Sequence, residues 1–158
     1  MVTFKETDGG RSSYFIGTAG DCVTRAVAIA ANLDYKDVYD RLAEGNATQR
    51  KTKHTGKKPR SARNGIYTKR KWFKDYMTSL GFTWVPLMFI GSGCKVHVAK
   101  NELPKEGRLV LNLSRHLAAY IDGVLYDTYD CSRNGTRCVY GYWIKKETPQ
   151  AVTRDVPE

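Results

Sequence analysis

The sequence predicts an α+β protein, with N-terminal helices packed on a C-terminal antiparallel sheet and one central helix buried on every side. Three observations predict it. Apolar residues recur with helical spacing up to Leu80 and with strand spacing from Phe82 onward. Asp122-Gly123 and Asn134-Gly135, both in the second half, are two-residue turn signals of β-hairpins. The stretch Cys22–Ala31 is apolar on almost every face, which marks a core helix and not an amphipathic surface helix. Helices first and strands second is the order of an α+β chain.

Residues up to Ala19 are rich in Gly and Ser, with one apolar piece at Tyr14-Phe15-Ile16, and read as an irregular arm. Asp21 has the side chain of an N-cap and opens the central helix at Cys22. Asn32-Leu33-Asp34 makes a turn, and Asp34 caps a second helix from Tyr35 to about Glu44. Tyr35, Val38, Tyr39 and Leu42 form its single apolar face, and Gly45 suits the residue just past its end. Residues 46–63 lack a hydrophobic period, include Gly56 and Pro59, and read as a loop. A third helix is expected from about Lys69 to Leu80, capped by Thr68 and stopped at Gly81, burying Trp72, Phe73, Tyr76, Met77 and Leu80. Then come a β-rich run at Phe82–Ile90 interrupted by Pro86, a turn at Gly91-Ser92-Gly93, and a buried strand at Leu109–Leu113. Two hairpins close the domain, His116–Ile121 with Val124–Tyr129, and Tyr129–Arg133 with Thr136–Ile144. Residues 1–146 form one domain with a basic insertion at 46–71, and residues 147–158 read as a flexible tail.

Composition narrows the class. With 158 residues and 41% hydrophobic content the chain suits one ordinary globular domain. No apolar run approaches the ~18 residues that span a bilayer, and the first residues lack the pattern of a signal peptide. A cytoplasmic location without membrane association is the resulting expectation, with the four cysteines reduced. The formal charge is +10, and ten basic residues without an acidic one lie between Arg50 and Lys71. The rest of the chain is therefore neutral. Lys51, Lys53, Lys57, Lys58, Arg60, Arg63, Lys69, Arg70 and Lys71, with Arg50, are the candidates for binding nucleic acid or an acidic protein. A solvated loop without a ligand explains the same run.

The candidate chemistry starts at Cys22. At the first position of a helix, unpaired N–H groups and the helix dipole favour a thiolate. If Asp122-Gly123 is the whole turn of the first hairpin, Ile121 pairs with Val124, and Ala118 lies opposite Asp127. His116 and Asp127 then share a face as diagonal neighbours, within reach of a hydrogen bond. Asp130 points the other way unless a bulge shifts the register. A cysteine, a histidine and a carboxylate supply a nucleophile, a proton carrier and the group that orients it. Cys22, His116 and Asp127 are the expected triad, and no metal or organic cofactor is needed.

This order resembles the papain-like cysteine peptidase superfamily. It is most similar to the bacterial bacteriocin-processing (C39-like) type and to small proteins of that look in phage and bacterial genomes. The likeness lies in Asp21-Cys22 opening a buried helix and in the stretch His116-Leu-Ala-Ala-Tyr-Ile-Asp-Gly-Val-Leu-Tyr-Asp127. It implies a papain-like fold and a thiol-dependent amide or acyl hydrolase working on a protein or peptide through an acyl-enzyme. The same scaffold also hosts transglutaminases, deamidases and inactive binding proteins. Members of that family carry a glutamine six residues before the cysteine to hold the oxyanion, where this chain has Ile16. The backbone N–H of Cys22 is one oxyanion donor, and Ser13, Thr18 and Asn112 are candidates for the second.

The remaining cysteines offer alternatives. Cys131 and Cys138 lie opposite each other if Asn134-Gly135 closes a hairpin, so a disulfide between them is geometrically open. Cys94 and His97 would complete a Cys₃His zinc site with them, at spacings unusual for zinc. Reduced, unligated thiols are the favoured expectation. A non-catalytic basic binding module is the rival to the enzyme, and the two differ in whether Cys22 or the basic run carries the function.

Overall fold

The computed structural model describes residues 2–17, 20–47, 66, 68–99 and 101–146. Its elements run β1 (Thr3–Glu6), a 3₁₀ turn (Arg11–Ser13), α1 (Cys22–Ala31), α2 (Tyr35–Ala47), α3 (Lys71–Ser79), β2 (Thr83–Pro86), β3 (Arg108–Leu113), β4 (His116–Ile121), β5 (Val124–Asp127) and β6 (Gly141–Lys145). The strands form one sheet in the order β1-β5-β4-β3-β6-β2. All pairs are antiparallel except β1 with β5. The α+β class follows, and no described helix is long and apolar enough to cross a membrane.

Both faces of the sheet are buried, and different parts of the chain cover them. On one face Val110, Leu117, Ala119 and Trp143 meet Val23, Ala26, Val27 and Ala30 of α1, with Val38 and Leu42 of α2 and Phe73 and Met77 of α3. Small residues in α1 let it lie close on the sheet, and Arg108 Nε donates to the carbonyl of Ala30 at 2.7 Å to tie its end to β3. On the other face Leu109, Leu111, Leu113, Ala118, Tyr120 and Leu125 meet Val2, Val98, Leu103, Cys131 and Val139, which come from loops and the N-terminal arm.

Several expectations change in the folded chain. The N-terminal arm contains β1, whose residues Thr3 to Glu6 run parallel to Val124 to Asp127 and seal the edge of β5. The central helix spans Cys22–Ala31 as expected, yet the Asp21 side chain makes no capping bond; it is buried against Arg25 and Tyr35 instead. Asp34 does cap α2, accepting from the N–H of Lys36 at 3.2 Å. Gly45 lies inside α2 and does not end it. A Cβ there would overlap the Trp72 indole, so Gly45 is a contact point between α2 and α3. Gly45→Ala is expected to cost about 1–2 kcal/mol in thermal unfolding, because overpacking exceeds the ~1 kcal/mol that alanine contributes as a helix former. Helix α3 starts at Lys71, with Arg70 and not Thr68 at its N-cap.

The first hairpin has the expected register, pairing Ile121 with Val124, Tyr120 with Leu125 and Ala119 with Tyr126. The second hairpin does not form. Arg133, Asn134 and Gly135 all take left-handed backbone conformations, and the chain coils so that Gly135, Thr136 and Arg137 donate to the carbonyl of Ser132. Residues 137–139 then bond to 96–98, with Val98 N–H to Arg137 O and Val139 N–H to Val96 O, each at 2.8 Å. Cys138 faces Cys94 as a result, and these two are disulfide-bonded. The expected Cys131–Cys138 opposition, the Cys₃His zinc set and the fully reduced state are all overturned by this pairing. The bridge clamps a sheet cover that, among the described residues, is built of loops and the N-terminal arm. Residues 147–158 and most of the basic insertion lie outside the described residues.

Candidate active site

Cys22 sits at the N-terminal end of α1, half-buried, and helix packing on β4 brings it to His116. His116 begins β4 on the face shared by Ala118 and Tyr120, and Asp127 ends β5 on the same face as Leu125. The hairpin register therefore presents the two side chains to each other. His116 Nε2 lies 2.5 Å from Asp127 Oδ2, with the two residues 9% and 2% exposed. The other ring nitrogen, Nδ1, is the one left for Cys22, which lines the same cleft as His116. Asp127, and not Asp130, is the carboxylate at the histidine; Asp130 accepts from the backbone and hydroxyl of Ser132.

Cys22 and His116 open on a cleft of about 590 Å³, whose walls include Gly20, Asn112, Arg115, Lys69 and Tyr140. A smaller apolar recess of about 310 Å³ adjoins it through Thr68, Asn112 and Leu117 and is backed by Trp84 and Trp143.

The electrostatics favour a charged pair. Burial pushes the Cys22 thiol up, but hydrogen bonds from His116 and the Leu117 N–H, with the charges of His116 and Arg25, bring it below its ordinary value. Burial opposes a charged imidazole, yet hydrogen bonds with Asp127, Cys131 and Cys22 outweigh it and raise His116 to about 11. Asp127 is pushed up by burial and held down more strongly by His116 and the N–H of Thr128, which donates to Oδ1 at 2.7 Å. Together these shifts run in the direction that favours passing the Cys22 proton to His116.

Behind the triad lies a buried ionic network that the sequence reading did not assign. Arg25, one turn along α1, donates to Asp21 and reaches Asp127 Oδ1 at 3.4 Å. Asp21 also accepts from the Tyr35 hydroxyl, and Arg11 Nη1 donates to Tyr35 at 3.1 Å. Arg11 is held there by its 3₁₀ turn, which Asp8 caps by accepting from the N–H groups of Gly10 and Ser12. The available signal was an arginine inside a helix otherwise apolar all round, since a buried guanidinium requires a buried anion. Cys131 was missed too: it was read through a hairpin that does not form, and it packs beside His116 and Asp127.

Compared with known proteins, the chain matches no family model, no curated protein and no solved structure. The site is therefore read from its own geometry.

Of the oxyanion candidates, Cys22 offers its backbone N–H at the start of α1 and Asn112 lines the cleft. Ser13 is exposed on the 3₁₀ turn and does not line the cleft, and Thr18 lies outside the described residues. Ile16, at the position where the resembled family carries glutamine, is fully exposed. Among the basic candidates Lys69 lines the cleft, Arg70 is exposed at the start of α3, and Lys71 pairs with Asp75 at 2.8 Å. Arg50, Lys51, Lys53, Lys57, Lys58, Arg60 and Arg63 lie outside the described residues. One set of metal-ligating side chains gathers among the described residues, His116, Asp127 and Cys131.

Proposed function

We propose that this chain is a thiol-dependent acyl hydrolase of papain-like type that attacks an amide or thioester-like carbonyl of a protein or peptide. What supports it is the placement of a helix-terminal cysteine and His116 on one open cleft, with the buried Asp127 bonded to the histidine. In the forward step Cys22 Sγ bonds to the carbonyl carbon, its proton residing on Nδ1 of His116. The oxyanion meets the Cys22 N–H, with Asn112 the second donor. His116 then returns the proton to the leaving amine or thiolate, and the acyl group stays on sulfur. Water attacks next, giving its proton to His116, and the acid leaves as Cys22 is regenerated. An amine in place of water makes the same centre a transferase. Lys69 and Arg115 on the cleft wall favour an acidic substrate, or one held near nucleic acid by the basic run.

The test is the pH dependence of alkylation at Cys22, read by peptide mass spectrometry. A lowered cysteine contributes stability above its unfolded pKa that is lost as pH falls through the folded value. A raised histidine contributes stability fully present below 6.5 that is lost as pH rises through about 11. The ion pair therefore occupies the window between the lowered thiol and about 11. Cys22 should react well below the ordinary thiol range, and His116→Ala should slow it roughly tenfold or more near neutral pH. An inert Cys22 in a folded protein that still binds polyanions would transfer the function to the basic run.

A further inference from the structure

We propose that His116, Asp127 and Cys131 form a site for one divalent transition metal of zinc's class, and that metal bound there switches Cys22 off. The binding claim stands on the geometry of these three side chains; the switch rests on the proposed role of Cys22.

A nitrogen, a carboxylate oxygen and a sulfur lie within 4.8 Å of one another, from residues 9%, 2% and 1% exposed. Zinc holds such donors at about 2.0–2.3 Å, so the Cys131 sulfur closes in while His116 Nε2 and Asp127 Oδ2, 2.5 Å apart, open as the metal replaces the proton they share. The charges balance, since a thiolate and a carboxylate neutralise the dication and the imidazole binds as a neutral ligand. Sulfur and imidazole exclude calcium and magnesium, which require oxygen. The outer contacts needed to hold the ligands already exist. Asp127 Oδ1 accepts from Arg25 and the Thr128 N–H, leaving Oδ2 to face the metal. Cys131 has no other assignment: it belongs to neither the disulfide nor the cleft wall.

The consequence for Cys22 follows from the tautomer. With metal on Nε2, the imidazole keeps its single proton on Nδ1, which faces the sulfur. It can donate to Cys22 but cannot take its proton. The carboxylate that supported the imidazolium is also withdrawn, and Cys131 releases its proton as metal binds.

Cobalt(II) is the probe, added to the protein with its Cys94–Cys138 bridge intact so that those sulfurs cannot bind. The expected result is a thiolate-to-cobalt charge-transfer band that saturates at one equivalent and is displaced by zinc. It persists in Cys22→Ala. In Cys131→Ser cobalt binding weakens by more than the roughly 10–100-fold that outer contacts are worth. Circular dichroism checks that variant's fold, and Asp127→Asn, with a similar loss expected, serves if it does not fold. A wild-type protein without the band overturns the site, as does a band kept at full affinity in Cys131→Ser or lost in Cys22→Ala. Zinc should also slow Cys22 alkylation at least tenfold in the wild type and not in Cys131→Ser. A cobalt band without that slowing overturns the switch and leaves the metal site standing. An inert Cys22 in metal-free protein overturns the catalytic reading and with it the switch, while the cobalt band still decides the site.

Discussion

Asp21→Ala is expected to cost about 3–5 kcal/mol in urea unfolding, several times what a helix cap is worth. Both readings of Asp21 predict a loss, and the size separates them. Losing a capping carboxylate costs about 1 kcal/mol, because water replaces the side chain at the exposed turn. Losing the anion of a buried network leaves guanidinium charge without its nearest counter-charge. Asp21 is 2% exposed, and Arg11 and Arg25 are each 7% exposed. The Tyr35 hydroxyl loses its acceptor as well, and its pKa is already raised by burial and by that bond, so it remains a donor at all ordinary pH. Asp21→Asn should fall between the two, since the amide oxygen still accepts from Tyr35 while the charge is gone. A loss near 1 kcal/mol in Asp21→Ala would return this residue to the role of a simple cap.

Asp127→Asn is expected to lower turnover on an activated thioester by about 10⁴-fold with the fold intact, which is the scale seen when a triad carboxylate is made neutral. The reason lies in the proton on His116. With a carboxylate at Nε2, the ring holds one proton on that nitrogen and keeps Nδ1 for the proton that Cys22 gives up. An asparagine amide can donate to Nε2 instead, which moves the proton to Nδ1 and leaves Cys22 without a base. The Cys22 thiol should then rise toward its ordinary 9.0, which the alkylation profile reads separately from turnover. A purely structural Asp127 would change unfolding without moving that profile. A turnover loss below tenfold in a folded variant would remove Asp127 from the chemistry.

Much of this site was legible because it depends on local rules. The position of Cys22 follows from a helix boundary, and the meeting of His116 with Asp127 follows from a two-residue turn. Asp122-Gly123 sets the pairing of Ile121 with Val124, and the strand period of two does the rest. The same turn logic failed at Asn134-Gly135. There the backbone amides after the turn found the carbonyl of Ser132, and residues 137–139 paired with 96–98, about forty residues away in sequence. A turn signal carries no information about which distant strand competes for the same hydrogen bonds.

Local patterning sets the α+β order, the extent of α1, the register of the β4–β5 hairpin and the concentration of positive charge between Arg50 and Lys71. Each is set by neighbours a few residues apart. Tertiary structure alone decided that β1 seals the edge of β5, that Cys94 bonds to Cys138, that Asp21 faces Arg25 and Tyr35, and that Cys131 lies beside His116. These pairings join segments distant in sequence or turn a local cap inward. They are chosen because each buried charge, thiol and strand edge must find a partner once the two faces of the sheet are covered.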